Sequence, residues 1–158
     1  MNKLDSRDVE NWMQELKEIA KKSTCKRSKC GAIIINDSKI IGKGYNSPPK
    51  DIESQRRCNE DKTKLHRKVT DKTCCVHAEQ RAIMDALKEN PGKLNQASLL
   101  FIRLNDKGEI EPSSKPYCTI CSKMALDVGI KEFILLHKEC PISYDTEEYN
   151  LLSYQYTE

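Results

Sequence analysis

The chain has 158 residues, of which 37% are hydrophobic and 32% charged, and a net charge of +3. That is the size and balance of one soluble globular domain, 1–158, built on one core. It excludes a membrane span, because no apolar run approaches the roughly 20 residues needed. Met1 to Asp5 shows no export-signal pattern, so a cytoplasmic protein is expected. In the cytosol thiols stay reduced, so the eight cysteines point to metal ligation or burial, not disulfides.

Along the chain, Val9, Trp12, Met13, Leu16, Ile19 and Ala20 recur on one face of a helix over 8–22, with Ser6 as its N-cap. Cys30 to Ile35 is a short apolar run rich in β-branched residues. Asn36-Asp37-Ser38 turns it, and Lys39 to Asn46 reads as its paired strand. Residues 47–76 form a long loop insertion opened by Ser47-Pro48-Pro49, of a kind that is functional or needs tying down. It carries eight Lys or Arg against five Asp or Glu. Such a loop could hold a phosphate or a nucleic-acid backbone, or simply be solvated.

A second helix runs from His77 to Glu89 and stops at Asn90-Pro91-Gly92. Ser98 to Leu104 is a strand, Asn105 to Gly108 a turn, and the link to Pro116 is polar. A third helix spans Cys118 to Val128 and ends at Gly129. Lys131 to Leu136 is a buried strand, and a short helix lies around 145–152. Strands alternating with helices predict a layered α/β domain.

Two motifs fall on helix starts in this map. His77-Ala78-Glu79 opens one helix, and Cys118-Thr119-Ile120-Cys121 opens another. Cysteines three apart share one face of the first turn, where the helix N-terminus favours thiolate. One imidazole and two thiolates make a three-ligand zinc site with the fourth position open to water. Glu79 is placed to touch that water without binding the metal. Alone, His-x-Glu is a common surface pattern, and Cys-x-x-Cys is equally a redox pair or half of a zinc ribbon. Together and in this order they match the pattern of zinc base deaminases.

At these residues the chain resembles the cytidine deaminase-like superfamily of zinc hydrolases, and most of all its deoxycytidylate (dCMP) deaminases. Ser23 to Arg27 with Cys30 to Ile35, then Gly44-Tyr45-Asn46-Ser47-Pro48, carry the likeness beyond the metal motifs. The resemblance implies a three-layer α/β/α fold with a mixed central sheet. It implies Zn2+ on His77, Cys118 and Cys121, with Glu79 as the proton carrier in hydrolysis of dCMP to dUMP and ammonia. It further implies that the Ala78 backbone binds a pyrimidine carbonyl and that Asn46 contacts sugar or base. A second, structural zinc on Cys58, His66, Cys74 and Cys75 is implied for the long loop. Cys25, Cys30 and Cys140 are read otherwise as small buried hydrophobes. The family assembles as homo-oligomers.

The sequence departs from the family at Tyr117, which stands where proline usually precedes the first cysteine, and in the longer segment 105–115. The family's last strand is not obvious. Arg56, Arg57, Lys64, Arg67 and Lys68 are candidates for a substrate phosphate. Two other functions compete with a nucleotide deaminase. A tRNA or single-stranded DNA deaminase would need a stronger basic stripe than this chain shows. A structural zinc module would have no use for Glu79.

Overall fold

In the computed structural model, residues 6–113, 115–138 and 140–157 are described. The elements are α1 (Ser6–Lys21), β1 (Lys29–Asn36), β2 (Lys39–Tyr45), α2 (Ala78–Glu89), β3 (Ser98–Leu104), β4 (Ile110–Glu111), α3 (Thr119–Asp127), β5 (Glu132–Leu136), β6 (Pro141–Asp145) and α4 (Thr146–Tyr154). The sheet runs β2-β1-β3-β5-β6, with β4 beside β3. Only the β3–β5 pairing is parallel, so the sheet is mixed as expected.

Side chains alternate across the strands and build a core on each face. Ile33, Ile35, Leu100 and Ile102 meet Trp12, Leu16 and Ile19 of α1. Ala32, Ile34, Leu99, Phe101 and Phe133 face the other way, against α2, α3 and α4. This gives the three α/β/α layers. The helical period of α1 is thus explained by one apolar stripe on one sheet face.

α2 lies unusually close to the sheet. Its inner stripe, Ala78, Ala82 and Ala86, is fully buried and sits over Gly42 and Gly44 of β2. Small residues on both partners permit this approach, which fixes where α2 begins.

The long loop is tied at its neck. Val76 N donates to Ser47 O at 2.8 Å, joining the two ends in an antiparallel bridge. Arg81 of α2 clamps the same neck, donating to Tyr45 O and Ser47 Oγ at 2.7 Å each. Inside the loop only short 3-10 turns form, at Pro49–Asp51, Glu53–Gln55 and Lys62–Lys64.

Some expectations change. Ser6 is the first residue of α1; its side chain and residues 1–5, where a preceding cap would lie, fall outside the described residues. The missing last strand is β6, an exposed edge strand antiparallel to β5. The final helix begins at Thr146, with Asp145 accepting from Glu147 N and Glu148 N, and continues to Tyr154. Its Tyr149 stacks on Phe133 with ring centroids 3.9 Å apart. No helix among the described residues is long and apolar enough to cross a membrane.

Candidate metal centre

The N-termini of α2 and α3 point at one spot beyond β3. His77 is the residue before α2, and its amide donates to Gln80 Oε1 at 3.0 Å, which pins the first turn. Cys118 holds the same place before α3, its sulfur accepting from Cys121 N at 3.4 Å. His77 Nδ1 lies 3.2 Å from Cys118 Sγ and 3.2 Å from Cys121 Sγ. The three ligand atoms form one cluster within 4.8 Å of each other, with no fourth protein ligand in the group among the described residues. One imidazole nitrogen facing two sulfurs is the donor set of an open zinc site, and the residues fit that metal. Nε2, the other ring nitrogen, is 3.4 Å from Thr73 Oγ1, which orients the ring.

The electrostatics suit a cation. The Cys118 thiol is lowered to about 5, by Cys121 first and then by His77. His77 rises to about 9, chiefly through its contact with Cys118. Cys121 is pushed well up by Cys118 and by burial. Without metal, one proton-rich imidazole therefore pairs with one thiolate, while the second sulfur keeps its proton.

Glu79 is only 6% exposed, and burial raises its carboxyl to about 7. It lines a cleft of about 240 Å³ together with His77, Ala78, Asn46, Phe101 and Tyr117. Ala78 is the first residue of α2, so its amide has no intrahelical acceptor and is free for a ligand. Asn46 is more committed than the sequence suggested. Its Oδ1 accepts from Ser23 Oγ (2.6 Å) and Cys30 N (2.8 Å), and its Nδ2 donates to Ser28 O at 2.9 Å. One amide hydrogen is left to face the cleft.

Of the phosphate candidates, Arg57 lines the cleft, where it is joined by Arg27 and Lys62. Arg56 is bound to Glu53 at 2.6 Å instead, and Lys64, Arg67 and Lys68 are not part of the lining. The sequence pattern missed Arg103, whose Nη2 donates to Tyr117 Oη at 2.8 Å on the cleft wall. Its place on β3, two residues after Phe101 and opposite Cys30, was the available signal.

The long loop also brings thiols together. Cys58, Cys74 and Cys75 form a second cluster, with Cys58 and Cys74 sulfurs 3.3 Å apart and Cys74 and Cys75 3.8 Å apart. The Cys75 thiol is pushed up, first by burial and then by the nearby Cys25 thiol, and both cysteines are free. His66 does not join them; its Nδ1 accepts from Lys68 N at 3.1 Å. Cys30 is buried as expected, whereas Cys25 is half-buried and Cys140 exposed. His137 packs by Tyr144, 3.2 Å from its hydroxyl.

Residues 6–137 match the family described as the cytidine and deoxycytidylate deaminase zinc-binding region. The deoxycytidylate deaminase of Saccharomyces cerevisiae is 31% identical over 73% of this chain and 33% of its own length. That of Schizosaccharomyces pombe is 27% identical over 78% and 35%. The chain thus spans about a third of the length of these curated relatives. Among solved structures, the dCMP deaminase of cyanophage S-TIM5, in complex with dCMP and dUMP, is similar with a TM-score of 0.58 at 22% identity, covering 82% of this chain and 81% of its own. The cytidine deaminase of Burkholderia pseudomallei gives 0.58 at 16% identity, covering 89% and 94%. Those two share the fold, and the family match takes in both helix starts and the three ligands they carry, so this chain belongs to the cytidine and deoxycytidylate deaminase zinc-binding family.

Proposed function

We propose that this chain is a zinc-dependent deaminase that hydrolyses the exocyclic amine of a cytosine nucleotide, with dCMP as the substrate and dUMP and ammonia as products. The observation that carries this reading is Glu79: a buried carboxylate, two residues from the His77 imidazole and lining the same cleft as that imidazole. A structural zinc site has no role for such a group.

His77, Cys118 and Cys121 hold the metal. Zinc, when bound, supplies Lewis-acid chemistry and makes water a nucleophile near neutral pH. Glu79 would take one proton from the attacking water and pass it to the ring nitrogen next to C4, then take that water's second proton and deliver it to the departing amine. Its burial, which puts the carboxyl near neutrality, suits a group that must gain and lose a proton in one turnover. The Ala78 amide binds the pyrimidine carbonyl, and the spare Asn46 hydrogen meets the sugar. Arg27, Arg57 and Lys62 offer cationic contacts to a 5′-phosphate, which favours nucleotide over nucleoside.

The second thiol cluster is assigned to a structural zinc held by Cys58, Cys74 and Cys75, with Cys25 in place of His66. A metal there accounts for order in a polar loop with no core of its own. Metal analysis returning two zinc ions per chain supports it, and one ion rejects it. The family likeness adds a homo-oligomer working in the cytoplasm, and sedimentation of the zinc-loaded protein tests the assembly.

The deciding experiment offers zinc-loaded protein dCMP, CMP, cytidine, deoxycytidine, single-stranded DNA and a tRNA anticodon stem, and follows ammonia. Turnover highest on dCMP is expected. Turnover only on polynucleotide overturns the nucleotide reading, and none on any substrate leaves a structural zinc module.

A further inference from the structure

The sheet divides behind Glu79. β5 pairs with β3 only from Ser98 to Phe101, and β4 takes its place at Arg103 and Leu104. Between β4 and β5 lies a second cavity of about 210 Å³. Four residues line both it and the cleft: Glu79, Phe101, Arg103 and Tyr117. Ser113 and Glu111, from the segment that is longer than in the family, complete its far side. Ser113 is fixed by its backbone, whose amide donates to Leu136 O at 2.7 Å.

Two polar atoms here are buried without a hydrogen-bond partner among the described residues, Arg103 Nε and Ser113 Oγ. A polar cavity with unmade hydrogen bonds takes up ordered water. Deamination needs one water delivered to C4 and one ammonia removed from it in every cycle, both beside Glu79. A nucleotide filling the cleft would leave the rear chamber still in contact with Glu79.

We infer that this rear chamber is the exit port of the active site: ammonia leaves through its water while the nucleotide product still fills the cleft. Arg103 and Ser113 are positioning residues that hold its water. The inference rests on the proposed deaminase reading. The balance is plain hydrolysis. The oxygen of water bonds to C4 and the C4–N bond breaks; Glu79 carries one of water's two protons to the ring nitrogen and the other to the leaving nitrogen, which departs as neutral NH3. No oxidation state changes.

The test is a graded filling of the chamber by Ser113→Ala, Ser113→Val and Ser113→Leu, in full-length zinc-loaded protein. With dCMP, kcat falls with side-chain volume, to tenfold or more below wild type for the leucine variant. KM falls in proportion, so that kcat/KM stays within about twofold, and zinc content does not change. Because ammonia release becomes slow, rapid quench shows a burst of dUMP approaching one per site in Ser113→Leu. A flat kcat across the folded members of the series overturns the inference. So does a fall in kcat with no burst, which makes Ser113 a support for the chemical step instead. If Ser113→Leu fails to fold, alanine and valine still give the trend. A wild-type enzyme that turns over dCMP with a flat series removes only the port. A wild type inactive on every cytosine substrate removes the deaminase reading and the port with it.

Discussion

Gly44 of β2 lies so close beneath Ala78 of α2 that a β-carbon on it would collide with the Ala78 carbonyl oxygen and the Ala82 amide. The contact sets the height of the helix start that carries His77 and Glu79. Its backbone is not in the left-handed region, so any penalty at Gly44 is one of space. Gly44→Ala is therefore expected to push α2 off the sheet. Overpacking of this kind costs about 1–3 kcal/mol. Thermal unfolding should show that loss, and zinc affinity should fall with it as His77 moves from the two sulfurs. An unchanged melting temperature and zinc affinity would show that the helix start is set elsewhere.

Glu79→Gln separates catalysis from metal binding. The amide keeps the shape but cannot carry the proton, so kcat should fall by about 10²–10⁴ with zinc still bound at the catalytic site. The same variant reports on burial. In the metal-free protein Glu79 titrates near 7 instead of its ordinary 4.5. A carboxyl raised in this way is cost-free below pH 4.5, and stability is lost as pH rises through about 7. Metal-free Glu79→Gln should match wild type at pH 4.5 and exceed it at pH 8 by about 3 kcal/mol, read from denaturant melts. Loss of zinc in this variant would instead make Glu79 a ligand.

Asn46→Ala tests a residue with two tasks. It removes the bracket joining Ser23, Ser28 and Cys30, and with it three hydrogen bonds. Losing the partner of a buried donor costs about 1–3 kcal/mol, so the melting temperature should drop. KM for dCMP should rise as well, because the spare amide hydrogen is lost. A lower melting temperature with unchanged KM would confine Asn46 to structure.

The sequence disclosed what short-range chemistry controls. The period of α1, the β-branched run of β1, and the helix starts at His77 and Cys118 are each written within a few residues. So was the gathering of His77, Cys118 and Cys121, because a three-residue cysteine spacing and a helix start already place sulfurs together. Long-range packing stayed hidden. β6 alternates Ile142 and Tyr144 with Ser143 and Asp145, but the run is short and opens on Pro141, and almost all of it is exposed, so it carried little signal. His66 looked like a ligand by loop position, yet the loop closes through Cys58, Cys74 and Cys75 while His66 turns to its own backbone neighbour. Arg103 was illegible because its role depends on β4 replacing β5 beside β3, a tertiary event with no local signature.

Zinc binding should be steeply pH-dependent. Between pH 7 and 9 the metal-free site holds a proton on His77, raised to about 9, and on Cys121, raised further, while Cys118 is already thiolate. Ligation needs all three groups deprotonated, so two protons leave per zinc. Affinity should fall about 100-fold for each unit that pH drops from 9 to 7. The signs in the metal-free protein are opposed. His77 contributes stability that is complete below pH 6.5 and lost as pH rises through about 9, whereas Cys118 contributes stability present above 9 and lost as pH falls through about 5. These two terms offset each other between 7 and 9, so the gap in melting temperature between zinc-bound and metal-free protein should widen with pH through zinc affinity itself. Calorimetry in buffers of different ionisation enthalpy counts the protons directly. To isolate this site from the Cys58 cluster, the titration is run in a Cys58→Ser, Cys74→Ser background. A count near zero there would mean that His77 is neutral and Cys121 already ionised before the metal arrives, contrary to the geometry that sets one sulfur against the other.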